Sequence, residues 1–94
     1  MHTEEARAVL AEKVAEYRKK GYQQLLELLD NPIGIEAIGP SGTTYNLEVE
    51  AMWDHEPKPD LRVFVALDDG SLWRSISPLV EDFIILPDGS FVGE

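Results

Sequence analysis

The sequence predicts an α+β fold: an N-terminal helix, broken at Gly21, packed on an antiparallel β-meander of about five to six strands, all within one domain over 1–94. Three observations predict it. Apolar residues of the first third recur at helical spacing, whereas those of the remainder alternate with polar ones. The β-rich remainder repeats one turn phrase three times: Pro40-Ser41-Gly42-Thr43, Asp68-Asp69-Gly70-Ser71 and Pro87-Asp88-Gly89-Ser90. Each reads as a three-residue hairpin loop, a type I turn closed by a left-handed glycine.

The helical third comes first. Thr3 suits an N-cap, and Glu4 and Glu5 complement the positive end of a helix. Val9 or Leu10, Val14, Tyr17, Leu25 and Leu28 mark one apolar stripe. Arg18, Lys19 and Lys20 before Gly21 read as a helix C-terminus. The spacing therefore predicts a helix over 4–20, a break at Gly21 and a shorter helix over 22–29, ended by Asn31-Pro32. A continuous helix is the alternative, costing about 1 kcal/mol for its interior glycine. The three cations are too few, and too surrounded by acid, for a nucleic-acid contact, and Tyr17 and Tyr22 read as core packing.

Loop length then sets strand register. A three-residue loop over 40–42 pairs Gly39 with Thr43, and outward from there Ala37 with Tyr45, Ile35 with Leu47 and Ile33 with Val49, all apolar and on one face. A two-residue loop would set Glu36 against Leu47. The same loop over 68–70 pairs Val65 with Trp73 and Phe64 with Arg74, offering a cross-strand cation–π contact. The last loop pairs Ile85 with Phe91 and Ile84 with Val92. The predicted strands are 33–38, 43–53, 61–67, 71–77 and 83–86 with 90–92. Tyr45, Leu47, Val49, Ala51 and Trp53 point inward, while Thr44, Asn46, Glu48, Glu50 and Asp54 point outward. Met52, Phe64, Ala66, Leu72 and Ile76 fall on the far face, which the C-terminal hairpin is expected to cover.

Composition narrows the function. A chain of 94 residues buries roughly two-thirds of its unfolded surface, enough for one core. It has no cysteine, hence no disulfide, thiolate nucleophile or cysteine-based zinc site. Its start lacks a basic and an apolar region of a signal peptide, and no apolar run reaches membrane-spanning length, so a cytoplasmic setting is expected. The net charge of −10 is uneven: residues 31–94 hold twelve acids against only Lys58, Arg62 and Arg74. Such a surface disfavours nucleic acid and anionic membrane and favours a basic protein partner, although acidity also serves solubility alone.

Chemistry-bearing patterns are sparse. Asp54-His55-Glu56 lies in the longest polar loop, but adjacent residues rarely converge on one metal, so no metal site or cofactor is expected. His2 and His55 have no marked serine partner for nucleophilic catalysis, and Thr43, Ser71 and Ser90 are explained by their turns. No glycine pattern matches a phosphate or dinucleotide loop. The carboxylate pairs Glu48/Glu50, Asp68/Asp69 and Glu81/Asp82 are expected to face solvent, without the burial that acid–base work by paired carboxylates requires. No catalytic residue is assigned.

Several phrases carry a resemblance: Gly39-Pro40-Ser41-Gly42-Thr43 followed by Tyr45, Trp53-Asp54, Leu67-Asp68-Asp69-Gly70, and Asp82-Phe83-Ile84 running on to Pro87 through Glu94. With these the chain resembles a small bacterial family of uncharacterised α+β proteins. The resemblance covers most of the β region and implies that fold and no functional residues.

The first functional expectation is an acidic, non-enzymatic interaction module, immunity- or antitoxin-like, that binds a basic partner through Glu48, Glu50, Asp54, Glu56, Asp68 and Asp69. The second is a small enzyme or ligand-binding domain whose site lies between sheet and helices, using Arg74, Asp54, His55 or Glu56. The third is a structural or oligomer-forming domain that uses the Met52, Phe64 and Ile76 face. The sequence leaves the oligomeric state open.

Overall fold

The computed structural model describes residues 3–54, 59–68 and 79–92, with Thr3 described by its backbone alone. Helix α1 (Thr3–Arg18) is followed, across a turn at Lys19 and Lys20, by a short helix α2 (Tyr22–Leu25) that runs into a 3₁₀ turn (Leu26–Leu29). Four strands follow: β1 (Ile33–Ile38), β2 (Thr44–Trp53), β3 (Leu61–Asp68) and β4 (Leu79–Ile85). They form one antiparallel sheet in the order β1-β2-β3-β4. The fold is α+β, as expected, with four strands among the described residues rather than five to six.

The helical third breaks where the glycine falls. Gly21 is extended and caps α2, whose first turn accepts the amides of Gln24 and Leu25 on the Gly21 carbonyl. Helix α1 lies across β3 and β4, and the 3₁₀ turn lies against β2. Together they bury Ala6, Leu10, Tyr17, Tyr22, Leu25 and Leu28 against Tyr45, Leu47, Val49 and the alternate β3 positions Leu61, Val63, Val65 and Leu67. We call this side of the sheet its inner face and the opposite side its outer face.

The first hairpin adopts the expected register at every position, from Ile33 opposite Val49 to Ile38 opposite Thr44. The Gly39 amide donates to the Thr43 carbonyl at 2.9 Å, and the Gly42 amide donates to the Gly39 carbonyl. Gly42 has φ +90°, the left-handed conformation that closes this loop type. The last hairpin behaves alike: Gly89 has φ +91°, Ile85 bridges Phe91, and the Val92 amide reaches the Ile84 carbonyl. Asp88 there accepts from both the amide and the hydroxyl of Ser90.

The pairing of β3 departs from expectation. β3 is flanked by β2 on one side and β4 on the other, with Val65 between Val49 and Glu81. Both its edges are taken, so the expected pairings of Val65 with Trp73 and Phe64 with Arg74 are not made. Residues 69–78, including the Asp69-Gly70 turn, Leu72, Trp73, Arg74 and Ile76, lie outside the described residues. The physical reason is on the inner face. A three-residue loop would set Ser71, Ser75 and Ser77 opposite Leu67, Val63 and Leu61, burying hydroxyls against an apolar layer. The observed register sets Leu79, Phe83 and Ile85 there instead. β4 accordingly starts at Leu79, four residues before the predicted strand.

Two further expectations are corrected. The C-terminal hairpin does not lie over the outer face. Its tight turn holds Phe91 beside β4, where the ring meets Phe83 edge-on at 5.8 Å and the Arg18 guanidinium stacks 4.4 Å above it. Trp53, expected inward, is 39% exposed, because the 3₁₀ turn ends at Leu29 and leaves the end of β2 uncovered.

Candidate interaction surface

The outer face is built from the residues that alternate with the core. β1 contributes Gly34, Glu36 and Ile38; β2 contributes Thr44, Asn46, Glu48, Glu50 and Met52. β3 contributes Arg62, Phe64, Ala66 and Asp68; β4 contributes Val80, Asp82 and Ile84. Register aligns them in rows across the sheet. One row reads Gly34, Glu48, Ala66, Val80; the next toward the far end of β2 reads Glu50, Phe64, Asp82.

The rows differ in electrostatics. Where β2 ends, Arg62 bridges two acids: its Nε and Nη2 donate to one oxygen of Asp54 at 3.0 and 2.7 Å, and its Nη1 donates to Asp82. The Asp54 side chain is only 9% exposed, so the pair is partly shielded from water. Hydrogen bonding to Asp54, then to Asp82, holds the guanidinium pKa above its already high ordinary value. This cluster staples β2, β3 and β4 together across the outer face. Backbone closure supports it, the Asp54 amide donating to the Asp60 carbonyl at 2.8 Å.

Toward β1, Glu36, Glu48 and Glu50 have no such cation among the described residues. Glu36, Glu48 and Glu50 are exposed, and none takes part in an ion pair or hydrogen bond among the described residues. Beside Glu36 and Glu48 lies a shallow apolar depression of about 470 Å³, lined by Gly34, Ala66, Asn46, Glu36, Glu48 and Asp68 among others. It exists because one row carries small residues on either side of Glu48: Gly34 has no side chain, and Ala66 has a methyl group only.

Of the residues expected to bind a partner, Glu48 and Glu50 stand together on this face. Asp68 stands at the end of β3, opposite Asn46, and is half-buried. Asp54 belongs to the Arg62 cluster. Glu56 and Asp69 lie outside the described residues, as do His55 and Arg74. Glu36 joins the group by register, since Glu36 and Glu48 flank Gly34 and Asn46 across the first hairpin. Glu36 was readable in the sequence as the only acid of β1, on the polar side of its alternation.

The space between sheet and helices, where an enzyme site was placed, is filled by apolar side chains and tyrosines, and no charged residue is buried there among the described residues. Burial, more than neighbouring charge, raises the Tyr17 phenol pKa there. Asp54 lies on the opposite face. No group of acidic or histidine side chains suited to a metal occurs among the described residues, and no helix there is long and apolar enough to cross a membrane.

Besides the Arg62 cluster, nothing in the sequence signals a polar contact made by Glu5. Glu5, read as a helix-end charge, accepts hydrogen bonds from the amide and hydroxyl of Ser41 and from the hydroxyl of Tyr45. It ties the first turn of α1 to the turn of the first hairpin. No local pattern could announce a contact spanning 36 to 40 residues.

Comparison of the chain with protein-family profiles, curated proteins and solved structures finds no match.

Proposed function

We propose that this protein is a non-enzymatic interaction module that offers the acidic outer face of its sheet to a basic protein partner, in the manner of an immunity protein or antitoxin. One observation carries the reading. Glu36, Glu48 and Glu50 are exposed on one face with no cation of their own among the described residues, while Arg62, the cation nearest in register, is held by Asp54 and Asp82. Unneutralised charge on a flat surface steers oppositely charged partners and is screened by salt.

The test is a binding comparison between the chain and its Glu36→Lys/Glu48→Lys/Glu50→Lys variant, against host proteins captured at low salt. A specific lysine- or arginine-rich protein should be retained by the chain, lost by the variant, and released on raising salt to about 0.5 M. Retention of the same partners by both proteins, or retention insensitive to salt, overturns the reading.

A second reading, self-association through the outer face, has its own observation: Met52 and Val80 are each about half exposed there, at 51% and 53%. Light scattering over a wide concentration range decides it, a constant monomer mass counting against it.

A further inference from the structure

The two edges of the sheet differ. At β4 the C-terminal hairpin occupies the open edge, through the Ile85–Phe91 bridge and the Val92 amide. At β1 no strand pairs with the open edge among the described residues. Edge strands usually carry a proline, a lysine or a bulge that discourages pairing. β1 reads Ile-Gly-Ile-Glu-Ala-Ile, pairs with β2 without interruption, and has none of these.

The orientation of the free backbone groups follows from the turn. The Gly39 amide bonds to Thr43, so 37, 35 and 33 are the residues whose backbone faces β2. The amides and carbonyls of Gly34, Glu36 and Ile38 therefore point away from the sheet. The helical layer also stops short here. It covers β2, β3 and β4, and no residue of β1 is buried; Ile33 is 40% exposed on the inner side.

We infer that the β1 edge receives an extended segment of a partner as a fifth strand, and that this segment alternates apolar and basic residues. The inference rests on the acidic-module reading and gives it a binding mode. Strand addition supplies main-chain hydrogen bonds for affinity, and side-chain pockets on alternate positions for specificity. On the inner side the added strand sets apolar residues against Ile33, Ile35 and Ala37. On the outer side it sets cations beside Glu36 and, opposite Gly34, over a residue with no side chain. Strands lie about 4.8 Å apart, so Glu48, in register beyond Gly34, is within reach of an extended lysine or arginine. A second copy of the chain is the poorer occupant. Pairing Ile35 with its own copy sets Gly34 against Glu36, brings no cation to either glutamate, and joins two molecules of net charge −10.

The probe is a short capped peptide alternating lysine and valine, titrated into the full chain at low salt and read by amide exchange and chemical shift. Its control has the same composition with the lysines contiguous. The alternating peptide should bind about tenfold more tightly than the control, a difference of about 1.4 kcal/mol. It should slow amide exchange at Gly34, Glu36 and Ile38. Gly34→Pro removes one outward amide and leaves the β1–β2 ladder complete, and it should weaken the alternating peptide about tenfold. Gly34→Ile keeps the amide and fills open space, since a Cβ there meets nothing within 4 Å. It should weaken binding severalfold by blocking the path to Glu48, and it stands in should the proline variant fail to fold. Equal binding of both peptides, with neither variant altering it, overturns the edge and leaves the acidic surface standing. Binding of neither peptide overturns both. Concentration-dependent protection of the three amides without peptide, at doubled mass, assigns the edge to a second copy and also overturns the inference.

Discussion

The hydroxyl of Tyr45 donates a hydrogen bond to Glu5 Oε1 at 2.7 Å, joining the first turn of α1 to the second strand of the sheet. Tyr45 is wholly buried, and Glu5 also accepts from the amide and hydroxyl of Ser41. Replacing Glu5 by alanine removes this charged acceptor from the phenol and from Ser41 and should cost about 1–3 kcal/mol, the usual range for losing hydrogen bonds to a charged group. Tyr45→Phe removes donor and demand together, leaves Glu5 bonded to Ser41, and should cost about 1 kcal/mol. Urea denaturation at neutral pH measures both, and the order of the two losses is the test: a larger loss for Tyr45→Phe would contradict this account.

Gly39 is the third member of that contact. A Cβ added there would lie 2.5 Å from Glu5 Oε1 and 3.0 Å from the Tyr45 ring. A flexible side-chain end would ordinarily step aside, but this carboxylate is held by three hydrogen bonds. Gly39→Ala should therefore destabilise the protein by displacing Glu5, by about 1–3 kcal/mol, and should do much less once Glu5 is already alanine. A double-mutant cycle that returns additive losses would show that the glycine is required for some other reason.

What the sequence made legible follows the range of the forces involved. The first and last hairpins were readable residue by residue, because Gly42 and Gly89 fix loop length and loop length fixes register. The break at Gly21 was readable from the cations before it. The pairing of β3 does not follow the Asp68-Asp69-Gly70 phrase, because the register that phrase implies sets three serines opposite an apolar strand and inner-face composition outweighs turn chemistry. Glu81-Asp82 also hid the first four residues of β4, and Asp82 is tolerated there because Arg62 reaches it from β3. Of the candidate surface, Glu48 and Glu50 were legible from alternation. The engagement of Asp54 by Arg62 was not, since it depends on which strands become neighbours.

That engagement has unequal consequences for its three members. The Asp54 side chain is 9% exposed, whereas that of Asp82 is 40% exposed. Removing Arg62 strips a sheltered carboxylate of this cation, and Arg62→Ala should cost about 1–2 kcal/mol, less than a fully buried pair because Arg62 is itself one-third exposed. Asp82→Asn should cost under about 0.5 kcal/mol, as for surface ion pairs. Thermal unfolding of the two variants checks the order, and equal shifts in Tm would mean that the Asp54 contact carries no special weight.

The last hairpin carries a pH dependence of known sign. The Asp88 carboxylate accepts from the Ser90 hydroxyl at 2.6 Å and the Ser90 amide at 2.9 Å. These bonds favour the charged form, the hydroxyl contributing most, and hold the carboxyl below its ordinary value of 3.8. A group whose folded pKa is depressed binds fewer protons folded than unfolded, so its contribution is fully present above the unfolded value and is lost as pH falls through the folded one. The hairpin should therefore hold at pH 5 and above and loosen below about pH 4. Carboxyl chemical shifts should place the Asp88 midpoint below that of a free aspartate, and exchange at the Ser90 amide should quicken over the same interval. Asp88→Asn cannot titrate, so its Ser90 exchange, corrected for intrinsic rate, should be flat across that range. An Asp88 midpoint at or above the ordinary value would refute the assignment, because the two Ser90 hydrogen bonds could not then be favouring the carboxylate.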